Sequence, residues 1–113
     1  MRTLALAGVF SALAGLALAH SPLRTTTPAD GAVLAEVPQV LELQFGKDIR
    51  LTRITSTHAG AHSKQLDLSA EAGFVRSYAL PFEGMGAGDY VIEWRGLGDD
   101  GHPQSGSFTF RVD

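Results

Sequence analysis

The chain contains no cysteine, so a metal ion has to be held by imidazole, carboxylate, thioether or the amino terminus. Disulfides, thiolate zinc sites, iron–sulfur clusters and a thiol nucleophile are excluded. Within that restricted set one pairing is specific. Asp100-Gly101-His102 presents a carboxylate and an imidazole at i and i+2, and on an extended chain side chains two apart project to the same side, where both can close on one ion. A second source of nitrogen lies at the other end of the sequence. If the chain is cut after Ala19, His20 becomes the first residue, and its free amine and imidazole can chelate a single ion as no internal histidine can. The reference pKa of such an amine, about 7.7–8.0, lets it give up its proton cheaply. Two nitrogens from His20, one from His102 and an oxygen from Asp100 make a tetragonal set that suits Cu(II), with zinc the competitor by ligand type. The plain alternative is an Asp-Gly turn and a terminal histidine without a ligand role.

Other constellations are weaker. His58 and His62 have the i, i+4 spacing of helical metal pairs, yet Gly60 and the surrounding Ser and Thr residues argue for a loop or a strand end. Along one strand they would stand about 13 Å apart, too far to share an ion, and they are read as solvated loop residues. Gly84-Met85-Gly86-Ala87-Gly88 resembles a phosphate loop in composition but precedes a strand pattern, with no helix whose amino terminus would hold phosphate. Ser105, His102 and Asp100 lie too close along one loop to supply the separate orienting group and oxyanion hole of acyl transfer.

The elements that must position these residues follow from the rest of the sequence. Arg2, the apolar and small run from Leu4 to Leu16, and Ala17-Leu18-Ala19 have the pattern of a secretory leader, cleaved after Ala19 with Ala17 as the rival position. The run is shorter than the roughly 20 apolar residues of a membrane span. The expectation is a leader over 1–19 and one exported domain over 20–113. With 113 residues in all, 44% hydrophobic, the length allows a single small domain. Twelve acidic residues outnumber nine basic ones, so there is no basic field to draw the chain to nucleic acid.

Leu41, Leu43 and Phe45 alternate with Glu42 and Gln44; Tyr90, Ile92 and Trp94, and then Phe108, Phe110 and Val112, repeat the pattern. Such period-two runs are half-buried strands. Ile49 to Thr57 and Phe74 to Leu80 add β-branched and aromatic runs, and Gly, Pro and Asp clusters punctuate them. The spacing predicts an all-β domain, an antiparallel sandwich or small Greek-key barrel.

His20-Ser21-Pro22-Leu23, Thr27-Pro28-Ala29-Asp30-Gly31 and Leu43-Gln44-Phe45 resemble the amino-terminal half of the CopC family of periplasmic copper-binding proteins. Gly88-Asp89-Tyr90-Val91-Ile92-Glu93-Trp94-Arg95, Asp100-Gly101-His102-Pro103 and Gly106-Ser107-Phe108-Thr109-Phe110-Arg111-Val112 are similar, in order and spacing, to that family's later blocks. The resemblance implies a small antiparallel Greek-key barrel or sandwich of about seven strands, cupredoxin- or immunoglobulin-like in form, with periplasmic location and one Cu(II) site on His20, Asp100 and His102. It also implies a monomeric copper carrier or buffer that hands copper to a separate inner-membrane transporter of the CopD type. Two departures stand out. The methionine-rich Cu(I) segment of some members is missing, Met85 being the one Met after the initiator. Lys47 follows Phe45-Gly46 where many members carry an acid, and Glu93 or Arg95 is left as a group that could alter the field at the metal. Two other readings stay open: an oxygen-activating copper enzyme of the lytic polysaccharide monooxygenase kind, and an exported immunoglobulin-like module without metal.

Overall fold

The computed structural model describes residues 22–68 and 73–113; the leader expected over 1–19 and the candidate ligand His20 lie outside these residues. The described chain forms β1 (Leu23–Thr27), β2 (Ala32–Leu34), β3 (Val40–His58), β4 (His62–Gln65), β5 (Val75–Pro81), β6 (Gly88–Gly98) and β7 (Pro103–Val112). The all-β, seven-stranded expectation is met.

The period-two residues are the core. Leu41, Leu43, Phe45, Ile49, Ile54, Tyr90, Ile92, Trp94, Phe108, Phe110 and Val112 are all buried, while their sequence neighbours face solvent or sit half-covered. β3 runs through 19 residues and changes partners along its length. Its first part lies between β1 (Leu23↔Phe45 to Thr27↔Glu42) and β5 (Val40↔Pro81 to Gln44↔Ser77). Its second part lies between β6 (Ile49↔Gly98 to His58↔Tyr90) and β4 (Thr55↔Gln65 to His58↔His62). Because one strand serves both sets, the sheet curls over on itself and its inner faces close on a common core. The changeover at Gly46-Lys47-Asp48 is pinned by Tyr78, whose buried hydroxyl donates to the Ile49 carbonyl at 2.5 Å and accepts from the Leu51 amide at 3.1 Å. Phe45 bridges the two parts, meeting Trp94 edge-on at 5.0 Å and Tyr78 at 6.0 Å, contacts worth about 0.5–1.5 kcal/mol each beyond the area they bury.

β6 and β7 form a long antiparallel hairpin from Gly88↔Val112 to Leu97↔Pro103. One pairing departs from the antiparallel expectation: β2 runs parallel to β7, Ala32 beside Phe110 and Leu34 beside Val112. The chain leaves β1 on one side of the fold and crosses to the far edge. There the Gly31 amide donates to the Thr109 carbonyl at 2.7 Å and the Asp30 carboxylate accepts from the Thr109 amide at 2.9 Å. A crossing connection of this kind delivers a strand in the parallel sense, unlike a tight hairpin.

Candidate metal centre

Residues 99–102 connect β6 to β7, and the Gly98–His102 pair closes a three-residue turn, Asp99-Asp100-Gly101. The Gly98 amide donates to the His102 carbonyl and the Gly101 amide to the Gly98 carbonyl, each at 3.0 Å, and Gly101 takes a φ of +85°, the left-handed position that such loops reserve for glycine. Asp100 then folds back over the turn. Its Oδ1 accepts from the His102 backbone amide at 3.0 Å and its Oδ2 stands 3.0 Å from His102 Nδ1. The two candidate ligands are therefore together, but not through extended alternation: a tight turn with a left-handed glycine brings them face to face.

Both side chains are open to solvent. The ring hydrogen bond of His102, then its backbone N–H, and then the positive charges of His102 and Lys47 hold the Asp100 carboxyl below its ordinary value of 3.8. An ionised carboxylate gripping one ring nitrogen has two uses. With metal bonds of about 2.0–2.1 Å, two cis donors on a tetragonal ion lie roughly 2.9 Å apart, so Nδ1 and Oδ2 are already spaced to hold an ion between them. Alternatively Oδ2 retains the Nδ1 proton and leaves Nε2 as the ligand, oriented as in carboxylate–histidine–metal triads.

Two residues the sequence reading did not single out as structural neighbours shape this turn. A Cβ at Gly98 would lie 2.8 Å from Asp100 Oδ1, so the carboxylate occupies space that only glycine leaves free. Lys47, noted above only as a departure, acts electrostatically on Asp100. The hint for Gly98 was its place just before Asp99-Asp100-Gly101, though the need for it is a matter of packing. Glu93 and Arg95 project from the outer face of β6 and are not among the groups that act on Asp100. Ser105 is exposed on β7 opposite Arg95, and His102 Nδ1 faces Asp100, so no Ser-His-Asp relay is assembled.

The amino-terminal segment enters at the same end. The Gly46 amide donates to the Pro22 carbonyl at 2.8 Å, next to Lys47 and three positions before Ile49, the partner of Gly98. Among the described residues no three His, Asp or Glu side chains converge; Asp100 and His102 are a pair.

Of the two placements expected for His58 and His62, a loop or a strand end, the structure has the strand end. They end β3 and begin β4, and they face each other in register across the Ala59-Gly60-Ala61 turn. His58 Nε2 bonds to the Ala87 carbonyl at 2.7 Å and its ring packs on Tyr90 at 4.6 Å. Nine residues of β3 separate His58 from Ile49, about 30 Å at strand rise, so this pair sits at the opposite end from Asp100. The glycine-rich segment before β6 is a loop that wraps the Tyr90 hydroxyl, which accepts from the Met85 amide and donates to the Gly86 carbonyl.

Compared with known proteins, residues 23–113 match the CopC domain model. The chain belongs to the CopC family. This CopC chain is 32% identical to copper resistance protein C of Pseudomonas syringae pv. tomato, over 88% of its own length and 86% of the relative's. Its fold is similar to the crystal structure of CopC from Methylosinus trichosporium OB3b, with a TM-score of 0.68, 25% identity and coverage of 83% of this chain and 94% of that one. It is also similar to PcoC, a methionine-rich copper resistance protein of Escherichia coli, with a TM-score of 0.57, 27% identity and coverage of 84% and 100%.

Proposed function

We propose that the chain is a periplasmic copper carrier or buffer of copper homeostasis or resistance, made with a leader over 1–19 and acting as the domain over 20–113. In this reading it holds one Cu(II) ion through the amine and imidazole of His20 together with Asp100 and His102. The observation that carries the reading is the Gly46–Pro22 hydrogen bond. It anchors the chain two residues from His20 at the end of the fold where Asp100 and His102 face each other, and two extended residues reach about 7 Å. The names of the copper resistance relatives support copper as the cargo.

The donor set suits holding an ion and not turning over a substrate, because four protein donors leave no exchangeable equatorial position. Asp100 is already ionised and needs to lose nothing. The His20 amine and both imidazoles must be neutral to coordinate, so binding releases protons and affinity falls as the pH drops through about 8 to 6. Met85 stands alone and half-exposed in its loop, so the soft thioether cluster that selects Cu(I) is not built here. In this reading the loaded protein acts as a monomer and passes its copper to an inner-membrane transporter of the CopD type.

Equilibrium titration of protein beginning at His20 tests the proposal. One Cu(II) per chain with a nitrogen-rich tetragonal electron paramagnetic resonance signal, without oxygen consumption when reductant is added, is the expected result. No binding above that of free histidine, or steady oxygen consumption, would overturn it.

A further inference from the structure

The outer face of the second half of the sheet carries a positive patch in which three arginines outnumber one carboxylate, Glu93. Arg53 and Arg95 are direct cross-strand partners, and Arg50 stands one step further along, opposite Leu97 and across the irregularity between Leu51 and Arg53. All three are exposed, and among the described residues none forms an ion pair. The other arginines of the described strands β5 and β7 are neutralised: Arg76 by Asp48 at 3.4 Å, and Arg111 by Asp89 and Asp113. Like charges placed directly opposite each other on a sheet work against it, and the chain as a whole is acidic, so this face opposes both the local and the overall balance.

The patch opens into a shallow groove of about 460 Å³ along the strands. Arg53 and Arg95 stand at one end, Thr55, Thr57, Ser63, Ser105 and Ser107 supply hydroxyls along it, and Glu93 lies beside the arginine pair, opposite Thr55. Guanidinium forks bind carboxylates two bonds at a time, and hydroxyls satisfy a peptide backbone without demanding a sequence. A membrane surface calls for clusters of about 4–8 basic residues. Three arginines with a carboxylate among them fall short of that, and nucleic acid demands more still.

We infer that this groove docks an extended segment of a partner protein that bears a single carboxylate among uncharged polar residues, the carboxylate bridging Arg53 and Arg95 while Glu93 excludes a further negative charge next to it. The copper reading plays no part in this inference. The groove ends at Arg95 and Ser105, a cross-strand pair two positions short of Leu97 and Pro103, where the strands enter the Asp100 turn.

The test uses metal-free mature protein and a blocked peptide carrying one glutamate in a Ser, Thr and Gly background. Amide chemical shifts should move at Arg53, Thr55, Glu93, Arg95 and Ser105, and binding should weaken with added salt. The double variant Arg53→Gln, Arg95→Gln, which relieves a like-charge contact and so keeps the fold, should lose at least about tenfold in affinity, while Arg76→Gln should lose nothing. Shifts elsewhere, no loss in the double variant, equal binding of free glutamate, or retention by phosphatidylglycerol vesicles with no peptide binding would each overturn the inference.

Discussion

Asp100 holds both polar edges of His102: Oδ1 accepts the backbone amide and Oδ2 faces Nδ1, each at 3.0 Å. One exposed carboxylate thus fixes the turn and the imidazole together. Since these bonds favour its charged form, the Asp100 carboxyl should titrate below 3.8 in the metal-free protein. A carboxyl with a depressed pKa contributes stability above its unfolded value, and that contribution is lost as the pH falls through the folded one. The contribution is therefore fully present above about pH 4 and its loss is confined to below that. Carboxyl-detected NMR titration checks this, and His102→Ala should return the midpoint toward 3.8. An unchanged midpoint in that variant would show that His102 is not the cause.

Gly98 should prove as necessary to copper binding as a ligand's supporting neighbour. Gly98→Ala puts a methyl group against Asp100 Oδ1, displacing the carboxylate while leaving the strand, whose φ at this position is ordinary. Cu(II) affinity should fall on the order of 10-fold, within the range for losing an outer partner, with little change in the thermal midpoint of the metal-free protein. Unaltered affinity would mean that Asp100 has no part in the site.

The strands were readable because a buried face imposes a period of two, and Leu41, Leu43, Phe45, Tyr90, Ile92 and Trp94 keep that period without a slip. The sharing of β3 between two sets of partners was not, since nothing local to Gly46-Lys47-Asp48 names β1, β5 or β6 as neighbours. Asp100 and His102 stand side by side, as their spacing suggested, but through a turn and not through extended alternation, because left-handed Gly101 reverses the chain between them. For His58 and His62 the sequence left a loop or a strand end open, for a related cause. Ala59 and Gly60 both adopt positive φ, which an alanine seldom does, so the segment closes as a tight hairpin with both histidines at strand ends.

That hairpin sets the next expectation. Changing His58 and His62 together to Ala should leave the tightest Cu(II) site untouched, since about 30 Å of strand lies between them and the Asp100 turn. The fold should lose about 1 kcal/mol, because the His58 bond to the Ala87 carbonyl goes. Competition titration and chemical denaturation measure the two effects separately. A tenfold loss of copper affinity, about 1.4 kcal/mol, would place these histidines in the site after all.

The free amine of His20 is the central claim, and it can be altered without touching any side chain. A Met or Gly left before His20 keeps the imidazole but turns the amine into a chain amide, so the terminal chelate cannot close. Competition against a Cu(II) chelator should then show a loss of about 10- to 100-fold or more relative to protein beginning at His20, since a direct donor is removed where even an outer partner costs that much. His102→Ala should cost a comparable factor, and Asp100→Asn, which keeps an oxygen but not its charge, less. Equal affinity of the extended and authentic proteins would contradict the account, for His20 would then not bind copper through its amine.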